Sequence, residues 1–186
     1  MSDLRAGMLL VATPAIGDPN FAETVVLLLD VDDDGGSVGV ILNRPTGLAV
    51  SEVLGGWGEV VDEPEVLFQG GPVETDGALA VALRRSDDDG VLGMRAVVDR
   101  LALLDLDTPV ELVGDEIDGL RIFAGYAGWG AGQLDREIEE GSWYVVPGIA
   151  PDVFRSDTST LWRDVLRRQP GDLALYSTRP LDPGLN

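Results

Sequence analysis

Two continuous apolar runs on either side of a short acidic segment most constrain the fold. The runs read TVVLLLD, residues 24–30, and SVGVILN, residues 37–43, and the segment between them is VDDDGG. Both runs are β-branched and unbroken, which is typical of strands that are covered on both faces. Asp and Gly between them supply the turn. The sequence therefore predicts a β-hairpin whose two strands are buried on both faces.

The remaining segments alternate between strand and helix patterns, with no internal repeat and no linker between domains. One helix pattern has Asp107 or Thr108 as its cap and Pro109 at its first position. These features predict one α+β domain over residues 1–186, with a mostly antiparallel sheet and flanking helices. The further strands are expected at 64–69, 77–83, 91–99, 120–127 and 142–147, a turn at 84–90, and helices at 106–119, 131–140 and 158–169.

Three residue types are absent from the sequence: histidine, cysteine and lysine. Their absence excludes imidazole bases and ligands, thiol nucleophiles, disulfides, thiolate metal sites, Schiff-base chemistry and the lysine of a P-loop. All 13 basic residues are arginine. Any catalysis would have to use carboxylates, hydroxyls, arginines, backbone amides or a hard metal ion on oxygen ligands.

The chain is strongly acidic, with 33 Asp and Glu residues and a net charge of −20. A field of that sign repels nucleic-acid phosphates and anionic membrane surfaces, so we expect no direct nucleic-acid partner. The longest apolar runs are far shorter than the roughly 18 residues of a membrane span, and the N-terminus lacks a basic leader. We therefore expect a cytoplasmic protein without a membrane partner.

Two short motifs contain candidate ligand-binding residues. In ILNRPTG, Asn43 can bond its local backbone and Pro45 fixes a turn, which leaves Arg44 to bind a carboxylate or phosphate or to make a structural ion pair. In FQGGPV, the amides of Gly70 and Gly71 can form an anion-binding nest or a tight connection between strands. The structural interpretation is the commoner one for both motifs.

A glycine-rich stretch, GYAGWGAGQL, runs from Gly125 to Leu134 between a strand pattern and a helix pattern. Neither glycine register matches the G-x-G-x-x-G dinucleotide fingerprint, and acidic residues already occupy the first turns of the helix. The glycines are better explained by close packing of the strand end on the helix start. Tyr126 and Trp129 can fill the space in that packing. Trp129 and Gln133 are nevertheless the least explained residues of the stretch, so both are candidate ligand-binding residues.

Two charged segments have simple structural explanations. DVDDDG, residues 30–35, matches the first half of a calcium loop, but position twelve is Ile41 where a bidentate glutamate is needed, so we interpret it as a hairpin turn. Arg163, Arg167 and Arg168 form a small basic patch on the last predicted helix. That patch can meet an acidic protein or simply stabilise the end of the helix.

Four of these segments together resemble the AlgH/YqgE family of bacterial cytoplasmic proteins. They begin at Gly7, Gly36, Leu67 and Ile122, and they read GMLLVATPAIGDPNFAETVVLLLD, GSVGVILNRPTG, LFQGGPV and IFAGYAGWGAGQLDREIEEGSWYVVP. The resemblance covers nearly the whole chain. It implies an α+β fold with a strongly bent, barrel-like sheet and a function that is poorly established; one member is named as a regulator of alginate production, and most are uncharacterised. It supplies no catalytic residues.

Two functions stay open. We expect a non-enzymatic regulatory or binding protein that acts through a protein partner or a small-molecule ligand, without a cofactor, and affects gene expression only indirectly. The alternative is a carboxylate- or magnesium-dependent enzyme of hydrolysis or phosphoryl transfer. The candidate ligand-binding residues are Asn43, Arg44, Gly70, Gly71, Trp129 and Gln133.

Overall fold

The structure is a computed structural model that describes residues 3–88 and 91–178. Within these residues the chain forms a curled, mostly antiparallel half-barrel sheet with short helices around it, so the predicted α+β class with a bent sheet is confirmed. The strands are β1 (Met8–Ala12), β2 (Val25–Asp32), β3 (Gly36–Ile41), β4 (Pro45–Ala49), β5 (Val66–Gln69), β6 (Val73–Arg84), β7 (Met94–Val98), β8 (Leu101–Leu104), β9 (Ile117–Trp129) and β10 (Trp143–Pro147).

Eight strands follow one another along the main path of the sheet, in the order β10-β1-β2-β3-β9-β6-β8-β7, and every neighbouring pair on that path is antiparallel. Strand β5 lies off this path, where it pairs with β4 and runs parallel to β9. The long strand β9 therefore pairs with three strands, and it connects the two halves of the sheet.

The helices are short, and each covers part of the sheet or closes an end of it. None of the helices in the described ranges is long and apolar enough to cross a membrane. They are α1 (Val50–Leu54), α2 (Val110–Val113), α3 (Gln133–Glu139), α4 (Ala150–Phe154), α5 (Leu161–Arg167) and α6 (Asp172–Tyr176), with 3₁₀ turns at Gly55–Glu59 and Gly114–Glu116.

The predicted hairpin of β2 and β3 is buried on both faces, as expected. Alternate residues of β1 and β2, such as Leu9 and Leu27, pack in one cluster with the apolar side of α5. Their neighbours, such as Leu10 and Val26, point the other way and pack with Leu134 of α3. Continuous apolar runs were therefore the correct signal for a sheet with helices on both faces.

One arginine in the middle of β9 is buried and links the sheet to other elements. Arg121 is 2% exposed. Its Nη1 donates to the carbonyls of Val153 and Arg155, at 3.0 and 2.8 Å, and its Nη2 donates to that of Glu63, at 2.7 Å. Its guanidinium lies 4.3 Å from the ring centroid of Phe68. Burial lowers the pKa of Arg121, and the charge of Asp62 opposes that shift.

Several elements differ from the sequence predictions. The helix predicted at 106–119 is one turn, α2, which starts after Pro109 and is followed by a 3₁₀ turn and then by β9. Strands β1 and β8 were not predicted, because each is an apolar run of only four or five residues. Strand β9 continues through Trp129, so the glycine-rich stretch is half strand. Residues 89 and 90 of the turn predicted at 84–90 lie outside the described residues, as do residues 1, 2 and 179–186 of the predicted domain.

The turn between β2 and β3 is a hairpin turn, and the calcium-loop reading of DVDDDG is not needed. The backbone N–H of Asp34 donates to the side chain of Asp32, at 3.0 Å, which is a local bond typical of an acidic turn. Across the described ranges, no group of three or more Asp or Glu residues is placed to hold a metal ion.

We predict that Gly71→Ala destabilises the fold by about 3 kcal/mol, because the added methyl group would overlap backbone that cannot move aside. A Cβ at Gly71 would lie 2.2 Å from the carbonyl carbon and oxygen of Tyr126 in β9. The control is Gly47→Ala on β4, where a Cβ would meet nothing within 4 Å. Urea unfolding measures both variants, and the control should change stability by less than about 0.5 kcal/mol. Equal stability of the two variants would contradict the prediction.

Candidate functional site

The six candidate residues lie in three separate places. Asn43 and Arg44 follow β3 and face the loop before β2 and the segment before α5. Gly70 and Gly71 lie against the backbone of β9. Trp129 and Gln133 lie at the start of α3. The structure therefore brings them together in pairs and does not bring all six to one pocket.

Asn43 and Arg44 hold the loop that precedes β2. The Asn43 side chain accepts from the N–H of Val25, at 3.0 Å, and donates to the carbonyl of Glu23, at 2.9 Å. Arg44 Nη2 donates to the carbonyls of Pro19 and Ala22, at 3.1 and 2.8 Å. Asn43 therefore bonds backbone about 20 positions away in the sequence and not the local backbone that was predicted. The loop needs this support, because Glu23 has a positive φ of 62°.

We call the space beside these residues the arginine cleft. It has a volume of about 200 Å³. One wall comes from the loop and the NRP motif, and the other comes from α5 and the residues just before it. The lining residues are Ala22, Glu23, Asn43, Arg44, Thr158, Ser159, Trp162 and Arg163.

Two side chains of the far wall give the arginine cleft its polarity. Thr158 is 6% exposed, and its hydroxyl makes no hydrogen bond to any residue within 3–88 or 91–178. Arg163 is half-buried; its guanidinium lies 6.0 Å from the ring centroid of Trp162, and its Nη1 donates to the carbonyl of Ser177. The Thr158 hydroxyl is not a fully buried atom, so it reaches the cleft, where water or a ligand can pair with it.

The start of α5, which positions Trp162 and Arg163, is fixed by a small polar network. Thr160 Oγ1 donates to Asp164, at 2.8 Å, and Arg155 reaches the same carboxylate, at 3.0 Å. The hydrogen bond from Thr160 and the bond and charge of Arg155 lower the pKa of Asp164, against a smaller opposing effect of burial. The carboxylate is therefore held in its charged form where the helix begins.

Gly70 and Gly71 do not form an open anion nest. The N–H of Gly70 donates to the carbonyl of Ala124 and its own carbonyl accepts from Ile41, both at 2.8 Å. A Cβ at Gly70 would lie 2.4 Å from the carbonyl oxygen of Gly125. The two glycines are explained by the close approach of this segment to β9, which was the structural alternative for the motif.

Trp129 and Gln133 both bond one carboxylate, that of Glu137 on α3. Glu137 accepts the indole N–H of Trp129 and that of Trp143, each at 2.9 Å, and the amide of Gln133, at 3.0 Å. The Gln133 oxygen in turn accepts the backbone N–H of Gly130, at 3.0 Å. We call this group the Glu137 cluster. It satisfies two buried indoles and closes the junction between β9 and α3.

A shallow cleft of about 360 Å³ lies beside the Glu137 cluster. Its aromatic side is formed by Phe21, Trp129 and Trp143, whose ring centroids are 5.9–6.2 Å apart. Its edge includes Asp18 and Glu140. The rings pack on one another, and both tryptophans are about 5% exposed or less, so this aromatic group is mainly part of the core.

Sequence reasoning missed Glu137, Trp143 and Thr158. The first could have been found, because Gln133 and Glu137 are four residues apart on a helix and share a face. Thr158 has no signal in the sequence, since its position opposite Arg44 depends on the tertiary fold.

The predicted basic patch is largely paired within the chain: Arg167 bonds Asp164, and Arg168 bonds the buried Asp152.

Comparison with known proteins decides the family. The family model of the AlgH-like proteins (DUF179) matches residues 9–174. The chain belongs to the AlgH-like family. A UPF0301 protein of Streptomyces avermitilis is 54% identical over 183 residues, covering 97% of this chain and 94% of the relative. A UPF0301 protein of Thermobifida fusca is 50% identical over 190 residues, with the same coverage.

Solved structures agree with this assignment. A crystal structure of a Corynebacterium diphtheriae protein has a TM-score of 0.90 at 34% identity, over 96% of this chain and 94% of that chain. The solution structure of the AlgH protein from Pseudomonas aeruginosa has a TM-score of 0.69 at 27% identity, over 94% and 93%. The resemblance predicted from the sequence motifs is therefore confirmed for this AlgH-like chain.

We predict that Glu137→Ala lowers the free energy of unfolding by about 3 kcal/mol, because two buried indole N–H groups lose their acceptor. Glu137→Gln keeps one acceptor oxygen and should lose less. The matched control is Glu139→Ala, an exposed residue of the same helix, which should stay within about 0.5 kcal/mol of the parent protein. Urea unfolding followed by tryptophan fluorescence measures all three. Equal losses for Glu137→Ala and Glu139→Ala would contradict the role of the Glu137 cluster.

We predict that the stabilisation by Asp164 is lost in acid. The folded-state pKa of Asp164 lies below its ordinary value of 3.8, so the charged form stabilises the native state above about pH 4. This contribution disappears as the pH falls through the lowered folded-state pKa. The difference in unfolding free energy between the parent and Asp164→Asn should therefore be constant from pH 7 to about pH 5 and shrink towards pH 3. Urea titrations at each pH measure it, and a difference that grows in acid would contradict the assignment.

Proposed function

We propose that the protein is a non-enzymatic, cytoplasmic regulatory protein that binds a small-molecule ligand in the arginine cleft. The observation that carries the proposal is the polar character of that cleft. It combines the hydroxyl of Thr158, which reaches the cleft and bonds no described residue, with the guanidinium of Arg44 from the NRP motif. A concave space with a few converging polar groups is the usual form of a ligand site.

The geometry around Arg44 supports binding rather than catalysis. Arg44 Nη2 donates to two backbone carbonyls of the loop before β2. That loop contains Glu23 in a left-handed backbone conformation. Strained residues that are held by surrounding contacts are frequent at ligand sites. Among the described residues, every carboxyl with a clearly shifted pKa has that pKa lowered by a hydrogen bond. The carboxyls and their donors are Asp118 with Arg85, Asp157 with Ser159, and Asp164 with Thr160. A general acid needs the opposite shift.

The regulatory part of the proposal rests on the family resemblance, because one member is named as a regulator of alginate production. Direct contact with DNA is disfavoured for this chain by its net charge of −20. An effect on gene expression would therefore pass through a protein partner whose binding responds to the ligand. The other four candidates from the sequence are not part of the proposed site, because structural contacts account for them. They are Gly70, Gly71, Trp129 and Gln133.

The test is a thermal-shift screen of metabolites, followed by calorimetry on the compounds that raise the melting temperature. A ligand of the arginine cleft should lose most of its stabilising effect in Thr158→Val, which keeps the size of the side chain and removes the hydroxyl. The matched control is Thr75→Val, an exposed threonine of β6 without a hydrogen bond to the described residues.

Two results would contradict the proposal. If every stabilising compound acts equally on the parent and Thr158→Val, the ligand site is elsewhere. If a bound compound is converted during overnight incubation, as read by NMR, the enzyme alternative replaces the binding function.

A further inference from the structure

The shape and charge of the arginine cleft indicate what kind of ligand it takes, given the binding function proposed above. Arg44 Nη2 is occupied by backbone carbonyls, whereas its Nε and Nη1 make no hydrogen bond to residues 3–88 or 91–178. Arg44 is half-buried, so these donors are partly desolvated. Because Nη2 is occupied, Arg44 can bind a ligand through single N–H donors and its positive charge, but not through a bidentate pair of hydrogen bonds.

Donors and positive charge face Arg44 from the other wall of the cleft. Thr158 contributes a hydroxyl that reaches the cleft and can donate to an oxygen, and Arg163 contributes a second guanidinium, which already donates to the carbonyl of Ser177. Glu23 is the one acidic side chain of the lining, and it is exposed. The donors that Arg44 does not use on the loop, together with the Thr158 hydroxyl, favour a ligand group rich in acceptor oxygens, such as an anion.

A second, smaller pocket adjoins the arginine cleft. It has a volume of about 50 Å³ and shares Ala22, Glu23 and Trp162 with the cleft. Its remaining lining residues are Ala12, Thr13, Pro14 and Ile16. The indole of Trp162 is fixed, because its N–H donates to the carbonyl of Ala12 at 2.8 Å. A compact apolar group can lie on this ring while an attached anionic group occupies the polar part of the cleft.

We propose that the arginine cleft binds a small organic anion, a carboxylate or a phosphate monoester. Its anionic group is held by Arg44, Thr158 and Arg163, and its compact apolar part lies against Trp162. Charge-assisted hydrogen bonds from guanidinium and hydroxyl groups are the stronger kind, which allows a small ligand to bind despite the repulsion from the whole protein. Phosphate and carboxylate share this chemistry, and the probes below distinguish them.

The experiment is isothermal titration calorimetry at low ionic strength in a buffer without phosphate. The probes are benzoate and phenyl phosphate, the neutral benzamide, the cationic benzylamine, and inorganic phosphate alone. At least one of the two aromatic anions should bind about tenfold or more tightly than benzamide, and benzylamine should bind weakest. The tighter of benzoate and phenyl phosphate identifies the anionic group. Inorganic phosphate should bind more weakly than phenyl phosphate if the contact with the Trp162 ring contributes.

The variants separate the site from general effects of charge. Thr158→Val and Arg163→Gln should each weaken binding of the tighter anion about tenfold, the scale of one charge-assisted hydrogen bond. Arg95→Gln gives the same net charge as Arg163→Gln, but Arg95 is exposed on β7 at the far edge of the sheet. The affinity of the Arg95→Gln variant for the anion should therefore equal that of the parent protein. Arg44→Gln is less informative by itself, because Arg44 also holds the loop. Circular dichroism of each variant confirms folding.

Each possible failure has a distinct meaning. If benzamide binds as tightly as benzoate and Thr158→Val weakens both, the cleft binds ligands but does not select anions, so this inference is wrong while the proposed function stands. If Arg95→Gln weakens binding as much as Arg163→Gln, the effect is one of net charge and the inference is wrong. If neither benzoate nor phenyl phosphate binds at millimolar concentration, the inference is wrong, and the proposed function then depends on the metabolite screen alone.

Discussion

Strand β9 and its close contact with the Gly70–Gly71 segment hold the two halves of the sheet together. β9 pairs with β6 along one edge and with β3 and the parallel strand β5 along the other. Gly71 passes so close to Tyr126 that no side chain fits, and Gly125 of β9 adopts a φ of 72° at that point. The pairing of β6 with β9 is interrupted between Val73 and Ala78, beside the same glycines. A sheet bends where glycines and interrupted pairing coincide, so the curl originates here.

The same strand fixes the wall of the arginine cleft through a chain of polar contacts. Arg121 of β9 donates to the carbonyls of Val153 and Arg155 at the end of α4. The side chain of Arg155 then reaches Thr160 and Asp164 at the start of α5. Helix α5 carries Trp162 and Arg163. This wall of the cleft is therefore tied to the most central strand of the fold, whereas the opposite wall includes the loop that Asn43 and Arg44 hold.

The fold was predictable wherever a segment was long enough to show its pattern. Strands β2, β3 and β10, and helices α3 and α5, followed from apolar periodicity and turn residues, and all were placed within a few positions. The failures were of two physical kinds. Short runs such as β8 carry too few residues to show a period. The residues after Pro109 favour a helix start, but the helix ends after one turn. The chain then continues into β9, which is stabilised by its pairing with β6, a tertiary effect that local propensity does not show.

The site was predictable only in part. The favoured interpretation of the NRP motif was a structural ion pair for Arg44, but within the described residues Arg44 bonds backbone carbonyls instead and lines a cleft. Its role in ligand binding stays a prediction. Trp129 and Gln133 were correctly identified as requiring an explanation, but their partner proved to be Glu137, four residues along the same helix from Gln133. Thr158 could not be found, since it lies more than 100 positions from Arg44 and only the packing of α5 on the sheet brings the two together.

The choice of arginine for every basic position is consistent with this architecture. Arg44, Arg121 and Arg163 each donate to backbone carbonyls, although 33 acidic side chains are available in the chain. A guanidinium has five N–H donors in a fixed plane, so it can satisfy two carbonyls and retain further donors, whereas an ammonium group offers three donors from a single point. Arg121 uses this capacity in the core to join three segments. Arg44 shows the same chemistry beside a cleft, where Nη2 alone satisfies two carbonyls of the loop.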